Sequence, residues 1–164
     1  MNRCPEGSGA DVIGAALDLM PEGVRRSVED ADVLFADPVF VGLHDYDEVP
    51  GYPDVTYRRC AHVVYPYHQH RIPKSMRCTT VVLPTPKPLR SVLHEYGHVL
   101  DEQLGFELVL APVSKYAMTN REEAFAEAFA AWVMRERWVI DDEPASLRLC
   151  PLALDTFERL ADDS

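Results

Sequence analysis

Apolar positions along this chain fall first at helical spacing, then in short continuous runs, then at helical spacing again. ADVIGAALDLM (10–20) has a helical period and PEGVRRSVEDA (21–31) restarts it with Pro21 at a first helical position, so two short helices are predicted to open the chain. Next come DVLFADPVFVGL (32–43), VTYRRCAHVVYPY (55–67) and RCTTVVLP (77–84), β-branched and aromatic runs bounded by Pro and Gly. They predict three or four strands of a small sheet. Pro38 and Pro66 cannot donate to a strand ladder, so their segments should lie at an edge or end there.

After PTPKP the helical period returns. Pro88 suits the first turn of a helix from about Leu89 to Leu104, stopped by Gly105. A long loop, FELVLAPVSKYAMTN, follows, and loops of that length in a compact domain are commonly functional. REEAFAEAFAAWVMRERW (121–138) reads as a capped helix, apolar on one side, and Pro151 opens a last amphipathic helix through Leu160. Helices and a few strands in this order predict an α+β fold. A chain of 164 residues buries one good core, so one domain spanning 1–164 is expected.

Charge narrows the partners. Sixteen Lys and Arg against 27 Asp and Glu give a net charge of −11, which repels nucleic-acid phosphates and anionic lipid alike. No apolar run approaches the roughly 18 residues that span a bilayer, and MNRCPEGSGADVIG lacks the apolar stretch of a signal peptide. A cytoplasmic location is expected, with specialised secretion or action in a phage-infected host left open. Cys4, Cys60, Cys78 and Cys150 are widely spaced, and free thiols are expected. Cys60, His62, His68, His70 and Cys78 match no familiar zinc spacing, so a strand cysteine and a His-bearing loop are the preferred reading.

RSVLHEYGHVLDEQLG (90–105) carries the chemistry. His94 and His98, four apart on a helix, present their rings on one face and can clamp a single ion. Glu95 is rotated about 100° from His94, placed to reach a water as general base without being a ligand. Leu93, Gly97, Leu100 and Leu104 lie on another face at core spacing, where Gly97 marks a close packing contact. Asp101 and Leu104 stand where an HExxHxxGxxH protease would need Gly and His, so a carboxylate must complete the site. Glu122, Glu123 and Glu127 cluster at the start of the second helix. Glu123 can be the ligand, with Glu127 one turn on accepting from a ligand histidine, or it can merely close a capping box with Asn120.

HEYGHVLDEQLG followed by YAMTNREEAFAEAF resembles the catalytic domain of anthrax lethal factor and the Pro-Pro endopeptidases, over about residues 90 to 132. The resemblance implies a minimal zincin-like metallopeptidase domain with its motif core at about 77–138, and an edge strand over the HExxH helix. It implies one catalytic zinc held by His94, His98 and Glu123, with Glu95 as base. Glu127 and Asp101 would support the ligands, and Tyr116, seven residues before Glu123, would hydrogen-bond the reaction intermediate. The implied activity is zinc-dependent hydrolysis of a peptide bond in an extended segment of a polypeptide substrate. Two alternatives stay open: a small intracellular HExxH peptidase that cleaves phage or stress repressors, and a catalytically silent zincin-fold binding protein, such as a phage-encoded inhibitor or structural component. The acidic excess predicts a negative cleft rim that favours basic side chains near the cut.

Overall fold

A computed structural model describes residues 9–35, 60–69 and 71–163. Cys4, His70 and the parts of the predicted strands at 36–43 and 55–59 lie outside them. Two helices, α1 (Gly9–Leu19) and α2 (Glu22–Val28), lead into strand β1 (Asp32–Leu34). Strands β2 (His62–Val64) and β3 (Thr80–Val82) complete a three-stranded sheet of order β1-β3-β2. β1 runs parallel to β3, with Val33 opposite Val81, and β2 antiparallel, with Val63 opposite Val81. Every residue of β2 and β3 is buried, which explains why both read as unbroken apolar runs instead of alternating ones. Among the described residues β2 is an edge strand, and Pro66 ends it in a single 3-10 turn, Pro66–His68. The fully buried side chain of Gln69 then bridges the hairpin, donating to Val64 O (3.3 Å) and Cys78 O and accepting from Cys78 N (3.1 Å).

Helix α3 (Leu89–Gln103) follows, starting at the predicted Leu89 with Pro88 at the cap position before it. Gly105 (φ 76°) stops it: Phe106 N donates to Asp101 O (3.0 Å) and Gly105 N to Glu102 O (2.9 Å), the paired bonds of a Schellman ending. Helix α4 (Arg121–Met134) starts at Asn120, whose Oδ1 accepts from Glu123 N at 2.8 Å. The expected one-sided apolar face is corrected here. Ten consecutive residues of α4, Ala124 to Val133, are buried, because α4 lies between α3 and helix α5 (Pro151–Asp162), which drives Phe157 against Phe125, Phe129 and Trp132 at ring separations of 5.4–5.7 Å. The predicted end at 138 is also too late. Arg135 takes φ 51°, and the chain turns into a two-residue hairpin of β4 (Val139–Ile140) and β5 (Glu143–Pro144). Asp141 and Asp142, both at positive φ, form its turn without the glycine that usually announces one.

The result is an α+β domain with no described helix long and apolar enough to cross a membrane. Helices α3 and α4 meet closely at Gly97. A Cβ built there would sit 2.7 Å from Ala126 Cα and 3.0 Å from Ala126 O, so α3 and α4 touch backbone to backbone. Helix propensity alone would make Gly97→Ala stabilising by about 1 kcal/mol. The clash should outweigh it, giving a net loss of about 1–3 kcal/mol in denaturant unfolding. A stabilised variant would mean that the two helices can part freely.

Candidate metal centre and cleft

The Gly97–Ala126 contact sets three side chains on facing helices against one another. His94 Nε2 lies 2.9 Å from Glu123 Oε2 and 3.2 Å from His98 Nε2, and His98 Nε2 lies 3.7 Å from Glu123 Oε1. One donor atom from each fits within 4.8 Å, and this is the one group of three or more metal-ligating side chains among the described residues. The capping alternative for Glu123 resolves without competition. Its backbone N–H is what Asn120 caps, leaving the carboxylate for the histidines.

Protons decide what this cluster can hold. His94 Nδ1 is 2.8 Å from Glu127 Oε1, and since an ionised carboxylate only accepts, Nδ1 must donate. In the neutral ring Nε2 therefore carries a lone pair, facing His98 Nε2 and a lone pair of Glu123 Oε2, a buried oxygen that receives no hydrogen bond. A proton or a cation has to lie between them. With a proton, burial works to lower the His94 pKa, but hydrogen bonds to Glu123 and Glu127 and the charges of Glu95 and Glu123 prevail and raise it from 6.5 to about 10. Burial likewise works to raise Glu123, and its two histidine partners prevail, lowering it to about 2. Two imidazole nitrogens and a carboxylate oxygen also form a donor set that suits zinc and leaves a coordination position open.

Around this cluster the other predicted residues take distinct places. Glu95 is buried, 6 % exposed, and burial pushes its carboxyl up, reinforced by Glu123 and opposed by His98, His94 and Lys87. Glu127 is held from both sides: Oε1 accepts from His94 Nδ1 and Oε2 accepts from Ser114 Oγ at 2.7 Å. Ser114 Oγ also accepts from Ala117 N at 3.0 Å, tying Glu127 to the 3-10 turn Tyr116–Met118. The Tyr116 ring is 54 % exposed with its centroid 5.7 Å from that of His94. Asp101 is not brought to a histidine by its hydrogen bonds. Fully buried, it forms a two-pronged ion pair with Arg121 (3.1 and 2.6 Å), which joins the C-terminal end of α3 to the first residue of α4.

Ser114, Arg90 and Arg121 had no sequence signal of their own, although Arg90 stands one helical turn before His94. The histidines and cysteines of 60–78 form no second cluster among the described residues. Cys78 Sγ donates to Asp32 (2.9 Å), His62 Nδ1 bonds Cys60 O (2.9 Å), and the His68 ring packs on Tyr67. Cys60, Cys78 and Cys150 are free thiols.

A cleft of about 360 Å³ opens over the site, lined by Cys60 and Ala61 at the start of β2, by Lys87, Arg90, His94 and Glu95, and by Tyr116 and Glu127. Its described lining residues include two basic and two acidic groups, of which the basic ones are the more exposed. Glu95 and Glu127 are buried, while Arg90 is exposed and Lys87 half-buried, because a net charge summed over a whole chain does not fix the charge of one face.

Zinc and the His94 proton would compete for one space. Calorimetric zinc titration at pH 7 in buffers of different ionisation enthalpy should release about one proton per ion, and affinity should rise with pH until about 10, where His94 loses its proton unaided. In the ion-free chain that proton stabilises the fold fully below 6.5, a contribution that fades as pH rises through about 10. Glu127→Gln should weaken zinc binding roughly 10- to 100-fold. Zinc binding with no proton release would contradict the shared position.

Comparison with known proteins adds no neighbour to this geometry: no family model matches the chain, and neither does any curated protein or solved structure.

Proposed function

We propose that the chain is a zinc-dependent endopeptidase that hydrolyses a peptide bond in an extended segment of its substrate. The observation that carries this reading is the convergence of His94, His98 and Glu123 lone pairs within 4.8 Å, with the buried Glu95 carboxylate beside them and a cleft open above. A closed structural zinc site would offer four protein ligands, commonly thiolates, and no adjacent base. The resemblance of HEYGHVLDEQLG and YAMTNREEAFAEAF to the lethal factor and Pro-Pro endopeptidase catalytic domains supports the same assignment, and with it a zincin-like architecture.

Bound zinc would supply Lewis acidity, polarising a carbonyl and acidifying water. The residues of the chain do the rest. Glu95, its carboxyl pushed up by burial, takes the proton of the attacking water and passes it to the leaving amine. Glu127 fixes the tautomer of His94 so that Nε2 faces the ion. Tyr116, held by the Ser114 tie, donates its phenol to the oxyanion as charge develops. The edge of β2, whose approach lines the cleft, offers backbone groups to an extended peptide by strand addition.

Zinc-loaded protein should cut an unstructured peptide library. Glu95→Gln should keep zinc and fold but lose about 10²- to 10⁴-fold in kcat; a rate within tenfold of wild type would remove Glu95 from the mechanism. Tyr116→Phe should lower kcat roughly 10²- to 10³-fold at unchanged KM and zinc content. An unchanged kcat would make Tyr116 a packing residue.

A further inference from the structure

We propose that Arg90, with Lys87, forms a carboxylate-binding subsite that makes the cleft selective for an acidic residue about two positions from the scissile bond. The inference rests on the peptidase reading for the term scissile, but the geometry behind it is independent of turnover. Arg90 stands one turn before His94 on α3, roughly 6 Å along the axis, and an extended peptide covers that in about two residues. Residues two apart in a strand share a face, so a side chain there points the same way as the one at the cut.

The Arg90 guanidinium is fixed in place. It stacks 4.7 Å from the Trp138 ring centroid, and its one hydrogen bond among the described residues is a long contact from an Nη to Glu127 Oε1 at 3.5 Å. Glu127 is already satisfied by His94 and Ser114, so it claims little of the guanidinium. Among the described residues nothing else takes the other four of its five N–H donors, on a side chain 45 % exposed at the cleft wall. Stacking on an aromatic face pre-organises the fork that matches a carboxylate in two-pronged fashion. Lys87 lines the same cleft, and its charge reaches Glu95. Both acidic residues of the lining are buried, so nothing acidic among the described lining residues is exposed to repel an incoming carboxylate. In a chain of net charge −11, the more exposed charge among the described lining residues is basic, beside the His94, His98 and Glu123 cluster.

The test uses the full chain loaded with zinc and synthetic unstructured peptides carrying Glu, Gln or Lys at each position in turn, with free or amidated C-termini. Cleavage is read as kcat/KM with wild type, and binding as Kd with Glu95→Gln. Glu peptides should be preferred over Lys peptides by about tenfold or more, the scale of a hydrogen bond to a charged group. Arg90→Gln should bring that ratio within about threefold, and Arg90→Glu should invert it. The ratio is the readout because Arg90 also touches Glu127, so absolute rates can fall for other reasons. Wild type that binds and cuts Lys peptides as well as Glu peptides overturns the inference, as does a Glu preference that survives Arg90→Gln. A Glu preference in binding without any cleavage keeps the subsite and refutes the peptidase reading. A preference seen only with free C-termini overturns the acidic side chain and assigns the subsite to the chain end.

Discussion

The backbone contact between Gly97 on α3 and Ala126 on α4 is the constraint on which the rest of the structure depends. His94 and His98 flank Gly97, while Glu123 and Glu127 flank Ala126. Bringing the two central positions together therefore carries four polar side chains into one small volume. Helices packed through ordinary side chains keep their axes about 8–10 Å apart. Removing the side chain at one contact residue and reducing the other to a methyl lets Glu123 reach both histidines. The Asp101–Arg121 pair fastens the same two helices further along, where α3 ends and α4 begins.

Apart from Glu123 Oε2, the polar groups at this junction are satisfied in ways that free their neighbours. Asn120 caps Glu123 N, so the Glu123 carboxylate can turn to the histidines. Glu127 holds the proton side of His94, so the opposite nitrogen faces the shared space. Ser114 bonds the second oxygen of Glu127 and brings the Tyr116 turn up to the rim. Buried carboxylates are costly unless paired, and here the pairing partners are the groups that orient the site. The Phe157 cluster on the far side of α4 supplies the apolar burial against which this polar junction is built.

Much of this was legible in the sequence because it follows from helical spacing. The i, i+4 histidines, the Gly97 contact, the Gly105 stop and the Asn120 cap all come from rules that act within a turn or two. The choice between ligand and cap for Glu123 was not legible, since both readings use the same residue and only three dimensions show that backbone and side chain take separate roles. Ser114, Arg121 and the Arg90–Trp138 stack depend on tertiary proximity, which no local pattern encodes. The end of α4 was misplaced because Arg135 and the Asp141–Asp142 turn adopt positive φ without glycine. The exposed Arg90 and half-buried Lys87 of the cleft lining had no signal in the net charge, because composition averages over faces that the fold separates.

The account's central claim is that His94, His98 and Glu123 together hold one zinc ion. Equilibrium dialysis against zinc, comparing wild type with the His94→Ala, His98→Ala double variant, tests it most directly. The account predicts one tightly bound ion per wild-type chain and none in the double variant; full zinc occupancy in the double variant would contradict it.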